Sequence, residues 1–168
     1  MTETLSSVLP DRVERATRDV LQAACAQSLT LATAESCTGG LIASLLTDVE
    51  GCSHAFAVGF VVYTEEAKIA LVGVPADLIE AEGVVSKAVA VAMAEGALAH
   101  SRADIAISTT GFAGAAGDGD EAGLVHFACA RRGRTTMHRV EHFGDIGRGA
   151  VRLACLETAI AMMGEMLR

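Results

Sequence analysis

Three observations predict an α/β layered domain with a mixed sheet. Short runs rich in Val, Ile, Phe and Thr alternate with longer segments whose apolar residues recur at helical spacing. Gly-rich stretches follow two of the strand-like runs, at ESCTGG (35–40) and GFAGAAGDG (111–119), where open α/β sheets hold ligands. The last two strand-like runs are joined by 131–134, where Gly133 suits a hairpin turn, so part of the sheet is antiparallel. The 168 residues read as one unit, 1–168, with the segment before Asp11 a flexible lead-in.

Each element has its local reason. Pro10 precedes a helix over 11–27, with Val13, Ala16, Val20, Leu21 and Ala24 on one face. LTLATA (29–34) is a short buried strand. A helix follows over 39–46, its apolar side made by Leu41, Ile42, Leu45 and Leu46, and 47–54 is rich in turn residues. AFAVGFVVY (55–63) is β-branched and aromatic, hence a strand. EEAKIALVG and 75–83 form two short helices. Ser86 caps an Ala-rich helix over 87–100, apolar almost all round and therefore buried. ADIAISTTG (103–111) and GLVHFACA (123–130) are strands, and the alternating TTMHRVEHF (135–143) is an exposed antiparallel one. The final helix, 148–167, carries a stripe of Val151, Cys155, Ala159, Met162 and Met166.

Composition narrows the function. Hydrophobic residues are 51% and charged residues 20%, which excludes a disordered chain, a coiled coil and a collagen-like chain. The formal net charge of −8 and 4% aromatic content disfavour a nucleic-acid-coating protein. Five cysteines, an odd number without a C-x-x-C pair, support neither a disulfide framework nor a metal-ligand set. The N-terminus lacks a signal-peptide pattern, and no apolar run reaches the roughly 18 residues that cross a bilayer. The expectation is a reduced, cytoplasmic protein.

The chemistry concentrates in TAESCTGG (33–40), at a strand-to-helix junction. Ser36 sits at the strand's end, and Thr38, Gly39 and Gly40 bring backbone N–H groups toward a helix N-terminus, suited to a phosphate or an oxyanion. The same residues serve equally to cap and pack the helix. Glu35 is either an orienting carboxylate or an ion-pair partner. In YTEEAK, Tyr63 is the only tyrosine, and Lys68 could activate a serine if burial lowered its pKa. Taken alone, Lys68 reads better as a solvated lysine paired with Glu65 at i,i+3. The loop at 111–119 offers backbone donors, but Asp118, Asp120 and Glu121 make its far end acidic. Arg148 and Arg152 share one side of the last helix, and Arg148 opposes the helix dipole, suggesting an anionic neighbour. His138 and His142 alternate onto one strand face without a third metal ligand.

Taken together, TAESCTGGLIASLLTDVEG, GFVVYTEEAKIALVGV, GVVSKAVAVAMAEGAL, STTGFAGAAG, GLVHFACA and FGD followed by RGAVRLACLETAI occur in an order that resembles the CinA C-terminal domain family, in its stand-alone PncC-type form. The resemblance covers about residues 11–163. It implies a three-layer α/β/α sandwich with a mixed, mostly parallel sheet of about five strands, usually in a homo-oligomer, dimer or higher. It implies an amidase that hydrolyses the carboxamide of nicotinamide mononucleotide to nicotinate mononucleotide and ammonia, in pyridine nucleotide salvage, without metal or organic cofactor. Its catalytic serine, tyrosine and lysine fall on Ser36, Tyr63 and Lys68. Its substrate-binding positions fall on Glu35, Cys37, Thr38, Gly39, Gly40, Thr110, Gly111, Ala113, Gly114, Arg148 and Arg152. No nucleic acid or membrane partner is implied. Three departures lie on the substrate side: a shortened loop after Gly111 without proline, Glu121-Ala122-Gly123 before the next strand, and two extra residues in FGDIGRGAVR. The alternative they leave is a catalytically silent or altered-specificity binding or oligomerisation domain of the same fold.

Overall fold

The computed structural model describes residues 9–114, 117 and 119–168. The lead-in expected before Asp11, except Leu9 and Pro10, and Asp118 of the acidic loop end lie outside the described residues. The elements run α1 (Asp11–Ala26), β1 (Leu31–Glu35), α2 (Leu41–Thr47), a 3-10 turn (Ser53–Ala55), β2 (Phe56–Val61), α3 (Glu65–Val72), α4 (Ala76–Glu82), α5 (Lys87–Ala99), β3 (Ile105–Gly111), β4 (Leu124–Arg131), β5 (Met137–His142) and α6 (Arg148–Leu167).

The sheet order is β2-β1-β3-β4-β5. β1 pairs in parallel with both β2 and β3, while β4 pairs antiparallel with β3 and with β5. The hairpin expected from Gly133 therefore supplies the reversed strand of an otherwise parallel sheet.

Strand alternation sorts the core into two layers. Leu31, Ile105, Ile107, Val125, Phe127 and Cys129 face α1, α2 and α6. Their neighbours Ala32, Ala34, Ala106, Ala128 and Ala130 face α3, α4 and α5. The alanine face lets α5 lie close: Ser108 Oγ on β3 donates to the Ala90 carbonyl of α5 at 2.6 Å. Gly96 of α5 is needed for the same reason, since a Cβ there would sit 1.8 Å from the Val72 carbonyl of α3.

Several strands start one or two residues later than the sequence expectation, β3 at Ile105 and β5 at Met137 among them, and two shifted starts have a visible cause. β1 begins at Leu31, not residue 29, because the Thr30 amide and hydroxyl both donate to Asp104 Oδ2, at 2.8 and 3.0 Å. α2 begins at Leu41, not residue 39, because Gly39 (φ 61°) and Gly40 (φ 93°) take left-handed conformations that only glycine adopts cheaply.

Candidate active site

β1 ends at Glu35, and Ser36 extends the sheet by one bond, its amide donating to the Thr109 carbonyl of β3 at 3.0 Å. The chain then turns, with the Gly39 amide donating to the Ser36 carbonyl at 3.0 Å. Glu35, fully buried, settles which role its carboxylate takes. Oε2 accepts from the amides of Gly40 and Ile42, both at 3.0 Å, and Oε1 accepts from Ala43 at 2.8 Å. It caps α2 from the preceding strand, and hydrogen bonds to a charged acceptor contribute roughly 1.5–3 kcal/mol each. The α2 N-terminus, expected to receive a phosphate, thus already holds an internal anion. Of the amides from Ser36 to Gly40, only those of Cys37 and Thr38 donate neither to a main-chain carbonyl nor to the Glu35 carboxylate.

Lys68 comes from α3. Thr64 caps that helix, its hydroxyl accepting from the Ala67 amide at 3.2 Å, and Glu65 and Glu66 favour its first turn. Lys68 is not the solvated lysine that local spacing suggests. It is 1% exposed, shares the inner face with Val72, and donates from Nζ to Ser36 Oγ at 3.1 Å and to the Val62 carbonyl at 2.9 Å. Burial lowers its pKa from the usual lysine value, opposed by the negative charge that Cys37 and Glu65 can carry. Cys37 is itself buried, and a hydrogen bond from Cys155 pulls its pKa down against the cost of burial.

Ser36 and Lys68 open into a cavity of about 300 Å³, which Cys37, Tyr63, Thr110, Gly111, Ala113, Gly114 and Arg148 also line. Tyr63, 60% exposed, stands at the rim, and its hydroxyl accepts a 3.4 Å hydrogen bond from Arg148 Nη2. Thr110 is held in place by donating to the Val84 carbonyl at 2.9 Å. A larger groove of about 430 Å³ between α1 and α6 presents Val13, Val20 and Ile160 and lacks a serine–base pair.

The structure brings most of the expected site residues together. Arg152 goes elsewhere: its Nη2 donates to the Thr38 carbonyl at 2.9 Å, so it clamps the back of the turn and lies outside the cavity lining. Glu35, Thr38, Gly39 and Gly40 likewise shape the turn from outside the lining. Thr38 Oγ1 meets Thr109 Oγ1 at 2.9 Å. Val84, Val85 and Phe112 line the cavity and escaped the sequence reading. Their one signal is position, two apolar residues just before the Ser86 cap and one inside the glycine-rich loop. The histidines also pair differently. His138 meets His126 at 3.0 Å, and His142 meets Glu121 at 2.7 Å. Among the described residues no group of three or more His, Cys, Asp or Glu is placed to hold a metal ion, and no helix is long and apolar enough to cross a membrane.

A serine at the end of a central parallel strand, met by a buried lysine beside a glycine-rich loop, marks the cavity of a small α/β domain. The chain belongs to the CinA family: the model of the CinA C-terminal domain matches residues 13–167. It is similar to a competence/damage-inducible protein of Agrobacterium tumefaciens, at 39% identity and a TM-score of 0.93 over 97% of this chain and 100% of that one. A CinA superfamily protein of Escherichia coli superposes with a TM-score of 0.87 at 33% identity, over 99% of this chain and 95% of that one. A CinA-like protein of Geobacter sulfurreducens is 44% identical over 143 residues, covering 84% of this chain and 34% of its own. A putative competence-damage inducible protein of Symbiobacterium thermophilum is 54% identical over 110 residues, 64% of this chain and 26% of its own. The chain thus matches about a third or less of these curated relatives' length.

Proposed function

We propose that the chain is an amidohydrolase that cleaves the carboxamide of nicotinamide mononucleotide to nicotinate mononucleotide and ammonia, with Ser36 as nucleophile. The observation that carries this reading is the 3.1 Å hydrogen bond between Ser36 Oγ and a lysine that is 1% exposed. A buried lysine spends more of its time as the neutral amine, and only that form can take the serine proton.

In this mechanism Ser36 Oγ attacks the carboxamide carbon as its proton passes to Lys68 Nζ. The C–O bond forms and the carbonyl electrons move onto oxygen. The oxyanion is met by the Cys37 and Thr38 amides, since Glu35 and the Ser36 carbonyl occupy the neighbouring ones. A well-placed donor of this kind contributes about 3–4 kcal/mol. Lys68 returns its proton to the departing nitrogen, the C–N bond breaks and ammonia leaves. Water, deprotonated by Lys68, then cleaves the acyl-serine ester. Tyr63 and Arg148 sit together at the rim, and Arg148 supplies positive charge for the phosphate.

The test is ammonia release from nicotinamide mononucleotide and from simple amides, with Ser36→Ala and Lys68→Ala beside the wild type. Release by the wild type that Ser36→Ala abolishes is the expected result. No release from any amide would end the enzymatic reading, and release undiminished in Ser36→Ala would end the role given to that serine.

A further inference from the structure

Given the amidohydrolase reading, on which this rests, we infer that Arg152 is a positioning residue for the reaction centre. It acts through the Thr38 carbonyl to hold the turn whose Cys37 and Thr38 amides receive the oxyanion. The family resemblance gives Arg148 and Arg152 alike to the substrate, and four residues of helix separate them by about 6 Å. The fold treats them differently. Arg148 is exposed and lines the cavity, whereas Arg152 is half-buried and lies outside the lining. Its Nη2 donates to the Thr38 carbonyl at 2.9 Å. To reach a substrate phosphate it would have to leave that carbonyl.

The turn needs such a clamp. Gly39 (φ 61°) and Gly40 (φ 93°) follow Thr38 directly, and two adjacent glycines give a turn many other conformations to adopt. The groups around Thr38 are nonetheless tied. Its hydroxyl meets Thr109 Oγ1 of β3 at 2.9 Å, and the next amide, that of Gly39, donates to the Ser36 carbonyl at 3.0 Å. From the main chain the Thr38 carbonyl receives only the Leu41 amide, at 3.3 Å. The shorter, charge-assisted bond from Arg152 therefore fixes the direction of that peptide. With hydroxyl and carbonyl both held, the Thr38 amide is the polar group of this residue left for a reacting oxygen.

The guanidinium reaches the turn at close quarters. A Cβ at Gly39 would lie 3.3 Å from Arg152 Nη2, so glycine at this position makes room for the clamp. The partner of Nη2 is a carbonyl and not a carboxylate, so a positive charge stands behind the turn. That charge favours negative charge on the oxygen that the two amides receive, without touching the substrate.

Ammonia release by the wild type, Arg152→Met and Arg152→Lys, resolved into kcat and KM, tests this. Methionine keeps an apolar stem without a donor, and lysine keeps the charge without the planar fork. For nicotinamide mononucleotide, Arg152→Met should lower kcat by about 10²-fold with KM nearly unchanged, as a small misplacement at a reacting centre does. Arg152→Lys should recover part of that loss. Any phosphate-free amide that the wild type hydrolyses should show the same factor. A rise in KM with kcat kept, a loss confined to the nucleotide, or wild-type kinetics in both variants would each overturn the inference. Should Arg152→Met not fold, Arg152→Lys carries the same comparison, with kcat lowered and KM held. A wild type that releases no ammonia from any amide removes the amidohydrolase reading and this role with it; when the wild type is active, the variants alone decide.

Discussion

On the β1–α3 side of the cavity the polar side chains are tied down, both in its lining and, at Glu35, just behind it. Glu35 accepts three amides, Lys68 donates to Ser36 and to Val62, and all three side chains are buried. On the α6 wall, Arg148 stands in solvent and touches Tyr63 through a single 3.4 Å bond. The first wall has the fixed geometry that bond-making chemistry needs; the second has the adaptable charge that suits binding a substrate's far end. The difference divides the site into a reaction centre and a rim, which separate in kinetics.

The largest break falls on the reaction centre. Ser36→Ala should lower kcat for amide hydrolysis at least ~10³-fold, as nucleophile removals do elsewhere, with little change in melting temperature. Steady-state kinetics beside a thermal melt checks both halves.

Lys68→Ala should lower kcat by about 10²–10⁴-fold, the usual range for a positioned acid–base group. The sign of the pH dependence follows from its burial. The folded-state pKa lies below the ordinary lysine value, and the neutral amine is the working form, so kcat/KM should rise with pH through that lowered pKa. The rise should vanish in Lys68→Ala. A wild-type rate that falls over the same interval would contradict Lys68 as base.

Glu35→Ala breaks the support behind the reaction centre. Three amides at the start of α2 lose their acceptor, and a stability loss of about 2–4 kcal/mol in urea unfolding is expected. Glu35→Gln keeps one acceptor oxygen and should lose less.

The rim gives the smallest effects. Arg148→Ala should raise KM for the nucleotide by about 10-fold and leave kcat nearly unchanged, the pattern of uniform binding. A matching loss in kcat would move Arg148 into the reaction centre. Tyr63→Phe, which removes only an exposed neutral hydroxyl, should change kcat/KM by less than Arg148→Ala does; a larger loss would give Tyr63 a part in proton transfer.

The legible parts of this molecule are local. Helix α1 starts at Asp11 because Pro10 precedes it, and α5 starts at Lys87 because Ser86 caps it. The stripe Val151, Cys155, Ala159, Met162 and Met166 is buried because one helix face must meet the sheet. The glycines that delay α2 to Leu41 were visible, but their left-handed conformations depend on Glu35 reaching past them to Ile42 and Ala43. Lys68 misled local reading, since Glu65 at i,i+3 offers a partner. The contrary signal was Val72 four residues on, which puts Lys68 on the inward side of α3.

What the sequence determined by itself is therefore the run of elements, the apolar stripes of the helices, and the motifs that carry the family resemblance. These follow from spacing of 2 and 3.6 residues along one chain, which neighbouring side chains report without help. Only the tertiary structure decided which groups meet. Placing β1 between β2 and β3 sets Ser36 beside Lys68, 32 residues away, and lets Arg152 cross 114 residues to the Thr38 carbonyl. It also gave Arg148 the cavity and Arg152 the turn, though both lie on one side of the same helix. Such pairings depend on sheet order and helix packing, which no local period encodes.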